Sequence, residues 1–530
     1  MFKRDDPING QSSKPHLSAY EDLAQRPTQW WANEGLYMGF KVAPPADENH
    51  PLRGDWVCDG TRGNYRGDRH ILTIGPNGSG KTRRLLFPNL HYLKSWSVVA
   101  IDPKGELFAH TAPERSKTSK IVLVDPFAVV KKTYPNLAAR FPCESHGYNP
   151  VGSLSPTLPD GEENPRFVDD AKALAVALIK TEGERDKYWS QAAQALIKGV
   201  LMGLRLEYGE TASLALLRLA IGAKPATLAK KLGLMVDKFG GQCPALAASL
   251  SEFTSFSPED RELGGIRRQA KVQTDWLDSA PMVADLAKGS YDFATLKATP
   301  TTIYLVLPPE YLASHGTWLR LMVTAILRPL LREVDAASDK LPVPVLFMLD
   351  EFAQLGKMEI IEDNYALMRG YGVKLWTIWQ DLNQAKILYK DRWESFISNA
   401  GIVQSFAPQD MTTRKYLSQL ADDRMTWHKR EGESLSFSLS KGGANLNTGS
   451  SKSDANIKEP LIYPYELGQM RQGWGVVFTQ RGEVHRRYFP DATHEAFGGV
   501  RDMMARAKSN LAAPDAARLG PPALRLAAPD

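Results

Sequence analysis

A chain of 530 residues with 43% hydrophobic and 24% charged residues has the make-up of a globular protein with several cores, which excludes a disordered or fibrous chain. Its net charge of +5 permits a polyanionic partner without demanding one, and its three cysteines, Cys58, Cys143 and Cys243, are too scattered for a disulfide framework or a zinc cluster. No run reaches the about 18 apolar residues of a membrane span, and no apolar segment follows the first residues as a secretory signal would.

Residues 1–65 are polar and rich in Pro, Gly and Asp, and read as an N-terminal extension. An aromatic island at Trp30, Trp31 and Tyr37 to Phe40 is expected to pack back on the main domain. Next, His70-Ile71-Leu72-Thr73-Ile74 predicts a buried strand, and Arg83-Arg84-Leu85-Leu86-Phe87 the first turn of a helix. Between them stands Gly75-Pro76-Asn77-Gly78-Ser79-Gly80-Lys81-Thr82, which fits G-x-x-x-x-G-K-[ST] at every fixed position. Its glycines let backbone N–H groups turn inward, and the helix N-terminus adds positive potential, so the segment suits the phosphates of a nucleoside triphosphate. Lys81 would reach the β- and γ-phosphates, and the Thr82 hydroxyl would ligate Mg²⁺.

Ser97-Val98-Val99-Ala100-Ile101 and Lys120-Ile121-Val122-Leu123-Val124 are apolar runs stopped by Asp102-Pro103 and Asp125-Pro126, as in parallel strands covered on both faces. From 151 to 297 strand signals vanish and helical periodicity takes over, notably from Asp186 to Leu206, which reads as an all-α insertion. Ser257-Pro258-Glu259-Asp260 predicts a helix start ahead of Arg267 and Arg268. Strands return at 302–307, 343–349, 373–378, 401–403 and 475–479. The fold class expected is α/β, a mostly parallel doubly wound sheet built from residues 66–150 and 298–495. Residues 431–458, rich in Ser, Gly, Asn and Lys, read as a mobile loop, and 496–530 as a tail that is partly disordered.

A phosphate loop hydrolyses nothing without an acid for the metal and a group that activates water. Val345-Leu346-Phe347-Met348-Leu349 ends in Asp350-Glu351, which supplies both: Asp350 on the metal side and Glu351 as the base. A strand ending on two solvated acids is the competing reading, and the loop in the same chain argues against it. Gln380, at the tip of the 373–378 strand, is placed to sense the γ-phosphate. Arg369, expected at the end of the preceding helix, is a candidate finger for a neighbour's nucleotide, against the plainer role of a helix-dipole partner.

Taken together, these residues resemble the type IV coupling proteins, the TraG/TraD-type ATPases of conjugation and type IV secretion. The resemblance spans roughly 65 to 490 and rests on the phosphate loop, Asp102-Pro103-Lys104-Gly105-Glu106, Val124-Asp125-Pro126-Phe127, Tyr148-Asn149-Pro150, Leu349-Asp350-Glu351-Phe352 and Gln380-Asp381-Leu382-Asn383-Gln384. It implies a RecA-like motor interrupted by an all-α domain, assembled as a hexameric ring with ATP and Mg²⁺ between subunits. It also implies Arg369 as an interfacial arginine and Gln380 as the sensor. The implied partners are single- or double-stranded DNA, a relaxase or secreted effector proteins, and the secretion machinery. Most family members begin with membrane-spanning helices; the lack of one here implies either a cytoplasmic branch held at the inner membrane by a separate anchor protein, the preferred reading, or a chain trimmed of its anchor. A soluble FtsK/HerA-like DNA pump and a substrate receptor that uses ATP only for assembly are the alternatives. Arg267, Arg268, Lys271, Lys429, Arg430 and Lys441 are the basic candidates for DNA contact, with solvated surface charge as the competing reading.

Overall fold

The computed structural model describes residues 35–43, 57–181, 187–255, 260–289, 291–332, 343–440 and 443–512. In chain order its strands are β1 (Leu36–Ala43), β2 (Val57–Tyr65), β3 (His70–Ile74), β4 (Ser97–Ile101), β5 (Lys120–Val124), β6 (Thr301–Leu305), β7 (Val345–Leu349), β8 (Val373–Trp379), β9 (Ala400–Ser405), β10 (Asp423–Ser440), β11 (Gly443–Pro460), β12 (Trp474–Thr479) and β13 (Val484–Tyr488). All but β10 and β11 join one sheet in the order β2-β1-β13-β12-β9-β3-β8-β7-β4-β6-β5. The stretch from β9 to β5 is parallel throughout, and β12, β13, β1 and β2 extend it as an antiparallel flank. The sheet is therefore mostly parallel, as the Asp-Pro-terminated apolar runs led one to expect.

Residues of β3, β4, β6, β7, β8 and β9 are buried throughout, because helices cover both faces. Alternation along each strand sorts side chains between two cores. Leu72, Ile74, Val99, Ile101 and Phe347 face the core shared with the helical insertion and the long helix Pro309–Leu330. Ile71, Val98, Ala100, Leu346 and Met348 face the opposite core, closed by the helices Phe87–Tyr92 and Glu106–Arg115. The insertion leaves after β5 and returns before β6, and among its described residues the regular elements are helices, with one isolated bridge, Thr157 to Glu163. Its spine is Lys187–Tyr208, whose buried Ala193, Leu196, Ile197, Val200, Leu201 and Leu204 carry the expected helical spacing. Asp170 of the insertion binds Arg328, near the end of the long helix, at 3.0 Å and Arg332, just past it, at 2.6 Å and so pins the insertion to the sheet domain.

Several expectations need correction. Residues 36–43 and 57–65, taken as part of an extension, are strands of the main sheet, and Tyr37 and Phe40 are buried there against Phe497. Trp30 and Trp31 lie outside the described residues. Residues 431–440 and 443–458 are no loop: β10 and β11 pair in unbroken register from Asp423↔Pro460 to Ser440↔Gly443. Their Ser, Gly and Asn content misled because composition reports solubility, whereas a hairpin's backbone pairs with itself whatever its side chains. The helix expected near 257 begins at Arg261, with Asp260 accepting from the Leu263 N–H as its cap; residues 257–259 lie outside the described residues. Within 496–530, Gly499–Leu511 is a helix that buries Val500, Met503 and Met504 in the core on one face of the main sheet, and residues past 512 lie outside the described residues.

Because Phe347 is fully buried at the centre of the sheet, Phe347→Ala should remove about 3–5 kcal/mol of stability, measured as a lowered urea midpoint with unchanged slope.

Candidate active site

The phosphate loop springs from the C-terminal end of β3. The Gly75 N–H bonds the Trp379 carbonyl at 2.9 Å, so the loop leaves only after pairing with β8 is complete. Gly78 and Gly80 sit at φ of 79° and 83°, a left-handed backbone that side chains with a Cβ rarely adopt, and this reverses the chain around a pocket of N–H groups. The helix that follows opens with one widened turn, Thr82–Leu86, in which the Phe87 N–H reaches back to the Thr82 carbonyl. Pro88, next in line, has no N–H for the usual bond to the fourth residue back, which accounts for the local change of pitch.

Lys81 is buried, and its Nζ donates to the carbonyls of Gly75 at 2.8 Å and Pro76 at 3.1 Å. Burial lowers its pKa, and the charges of Asp350 and Glu351 oppose that shift. Both acids end β7 on the same edge. Burial pushes the Asp350 carboxyl up to about 6, while Lys81 pulls it down and Glu351 adds to the rise. Glu351 is held at φ 54°, a strained backbone for a residue with a side chain, and its N–H donates to Asp350 Oδ1 at 3.1 Å. Gln380 Nε2 donates to Glu351 Oε2 at 2.8 Å. Since β8 lies between β3 and β7, its tip delivers Gln380 between the loop and the acids.

The residues Gly75, Pro76, Asn77, Gly78, Ser79, Gly80, Lys81, Thr82, Asp350, Glu351 and Gln380 thus converge on one edge. Ser79 Oγ is buried there without a hydrogen-bond partner, as suits a cradle waiting for an anion. No group of three or more His, Cys, Asp or Glu gathers into a metal cage among the described residues. That fits Mg²⁺, which keeps several waters and takes one or two protein ligands, for which Thr82 and Asp350 are available.

Arg369 does not converge. It lies in the single 3-10 helical turn Met368–Tyr371 ahead of β8, as expected of a residue ending the preceding helix, and pairs with Asp68 at 3.6 Å. Asp68 precedes β3 just as Arg369 precedes β8, so both occupy the N-terminal edge of the sheet. From there to the phosphate loop the chain climbs all of β3, about 23 Å at ~3.3 Å per residue. Of the basic candidates, Arg267 donates to the Ala223 carbonyl and Arg268 is exposed. Lys429 and Arg430 lie on β10, and Lys441 lies outside the described residues.

One part of the site was not anticipated. Arg83 binds Asp491 through Nε at 2.7 Å and Nη2 at 2.8 Å, and Arg84 Nη1 donates to the Phe489 carbonyl at 2.6 Å. The segment after β13 thereby clasps the first turn beyond Thr82. Arg83 is 45% exposed, so the pair contributes no more than about 1 kcal/mol, and its value lies in holding direction. The only sequence signal was a pair of arginines at a helix start, where the dipole disfavours them unless an acid is near.

If the Gln380–Glu351 bond orients the acid, Gln380→Ala should leave nucleotide affinity within about threefold and cut turnover at least ~10²-fold, read by equilibrium binding and phosphate release.

A family model described as "Type IV secretory system Conjugative DNA transfer" matches residues 45–487. A conjugal transfer protein TraG of Escherichia coli is 28% identical over 427 residues, covering 77% of this chain and 62% of that protein. The VirD4 protein of Agrobacterium fabrum is 26% identical over 366 residues, covering 67% of this chain and 49% of that one. The chain therefore spans only about three-fifths of the length of the first of these curated relatives, 62%. Among solved structures, the plasmid coupling protein TrwB in complex with the non-hydrolysable GTP analogue GDPNP superposes with a TM-score of 0.58 at 13% identity, over 86% of this chain and 97% of that one. The same protein in complex with ADP and Mg²⁺ gives 0.55 at 13%, over 86% and 94%. At that identity the likeness establishes the fold, which is RecA-like.

Proposed function

The chain belongs to the type IV secretory system conjugative DNA transfer family, and from that premise we propose that it is an ATP-hydrolysing coupling protein. It recruits DNA, protein substrates or both, and delivers them to a type IV secretion channel. The observation that carries this reading is the convergence of Lys81, Asp350, Glu351 and Gln380 on one sheet edge, with Gln380 bonded to Glu351.

In this scheme the loop from Gly75 to Thr82 binds the triphosphate and Lys81 leaves its own loop carbonyls for the β- and γ-phosphates. Mg²⁺ held by Thr82 and Asp350 would neutralise charge on the phosphate oxygens when bound. Glu351 accepts the proton of the attacking water, and Gln380 keeps its carboxylate aimed. The strained backbone of Glu351 fixes that aim before substrate arrives, so little reorganisation remains for the chemical step. Arg369 is too far from its own subunit's loop to act there. Its role as a finger requires a ring in which one copy's N-terminal sheet edge meets the next copy's nucleotide, which is the hexamer of the proposal. No helix among the described residues is long and apolar enough to cross a membrane.

The test is phosphate release by the purified full chain, with and without single-stranded DNA. Turnover stimulated by DNA is expected; turnover that stays flat while the helical insertion binds effector tails would favour a receptor. Lys81→Ala should abolish turnover, and Glu351→Gln should keep ATP bound while losing at least about 10²-fold in rate. If DNA contacts the basic residues of the hairpin, affinity should fall linearly on a log–log plot against salt as counterions are released. A salt-independent affinity would remove the hairpin from the DNA path.

A further inference from the structure

Arg369 is the one predicted site residue that stands apart from the others, and its surroundings are built rather than accidental. The turn bearing it leads into β8, and the segment Gly67-Asp68-Arg69 leads into β3, the strand hydrogen-bonded beside it. Three contacts hold that segment in place. Lys374, buried on β8, donates to the Gly67 carbonyl, with its ammonium over the rings of Tyr65 at 4.8 Å and Trp96 at 5.3 Å. Arg69 donates to the Ser398 carbonyl at 3.4 Å. The Tyr65 hydroxyl donates to the Arg69 carbonyl at 3.3 Å. Asp68 thus projects from an anchored backbone. Its side chain is 24% exposed, and the Arg369 side chain beside it is 45% exposed.

A half-exposed arginine loses its direction readily, since nothing but a partner opposes its rotamer freedom. Asp68 supplies that partner through one oxygen, on Arg369 Nη1 at 3.6 Å. The contact is an ion pair too long for a hydrogen bond, so it biases the guanidinium by charge while leaving it exchangeable for a stronger anion. We propose that Asp68 is a positioning residue for Arg369, which presents its guanidinium to the triphosphate bound by a second copy of this chain. This inference rests on the reading of Arg369 as a finger acting between subunits.

Mixing experiments separate the two claims. Full-length chains carrying Lys81→Ala keep an intact Asp68–Arg369 pair but cannot use their own nucleotide. Chains carrying Asp68→Asn keep an intact phosphate loop but present a misaimed arginine. Alone on single-stranded DNA, Asp68→Asn should lose between about 10- and 100-fold in kcat, with KM and melting temperature little changed, and Asp68→Glu should recover most of it. Mixed with Lys81→Ala chains, Asp68→Asn should regain turnover, because some interfaces then join a sound loop to a sound arginine. The same mixture made with Arg369→Ala should also regain turnover. If Arg369→Ala is rescued and Asp68→Asn is not, Asp68 acts within its own subunit and the inference falls while the finger stands. If neither is rescued, the finger reading itself fails and takes the inference with it. Full activity of Asp68→Asn alone would overturn the inference directly.

Discussion

Ile74 pairs with Trp379 and Leu349 pairs with Thr377, so the three central strands β3, β8 and β7 run in parallel register and reach the same edge together. Everything at the nucleotide site follows from this constraint. A phosphate loop after β3, a glutamine after β8 and two acids after β7 meet because their strands end side by side, although the loop lies far upstream of the other two in the chain. Parallel pairing also requires crossovers that cover both faces, which is why these strands are buried along their whole length and tolerate no polar alternation. The same geometry puts the residues before each strand on the far edge. Asp68 and Arg369 are as firmly placed there as Gln380 is placed at the site.

Charge is held in the site at an electrostatic cost. Burial raises the Asp350 pKa and lowers that of Lys81, each toward its neutral form, and each is partly restored by the other's charge. Such a pair is stabilised by mutual attraction only while both members remain, and a triphosphate with its metal would enter as the missing counter-charges. The strain at Glu351 is maintained by a sheet whose neighbouring strands leave the end of β7 no freedom to relax.

Two peripheral pieces are tied to this core by ion pairs that carry direction more than energy. Asp491 grips Arg83 on the turn beyond Thr82, and Asp170 of the insertion grips Arg328 and Arg332 at and just past the end of the long helix that returns from β6. The first links the antiparallel flank of the sheet to the phosphate loop. The second links the insertion to the sheet domain at the edge remote from the phosphate loop.

The phosphate loop, the acid pair, the central strands and the helical texture of the insertion were legible from residues 70 to 380, because each depends on neighbours within one turn or one strand. Glycine at 78 and 80, an apolar run before Asp350 and the periodicity around Leu196 are local patterns with local causes. The hairpin β10–β11 was not legible, since its backbone pairing is indifferent to side chains that read as loop. Nor was the entry of β1 and β2 into the sheet: β1 finds its partner β13 more than four hundred residues later, at Phe40 and Tyr488. Arg369 was legible as a motif residue, but its distance from its own nucleotide was not. Which charges meet, and across which edge, depended on strand order alone, because a chain's local preferences say what an element is and only its packing says what stands beside it.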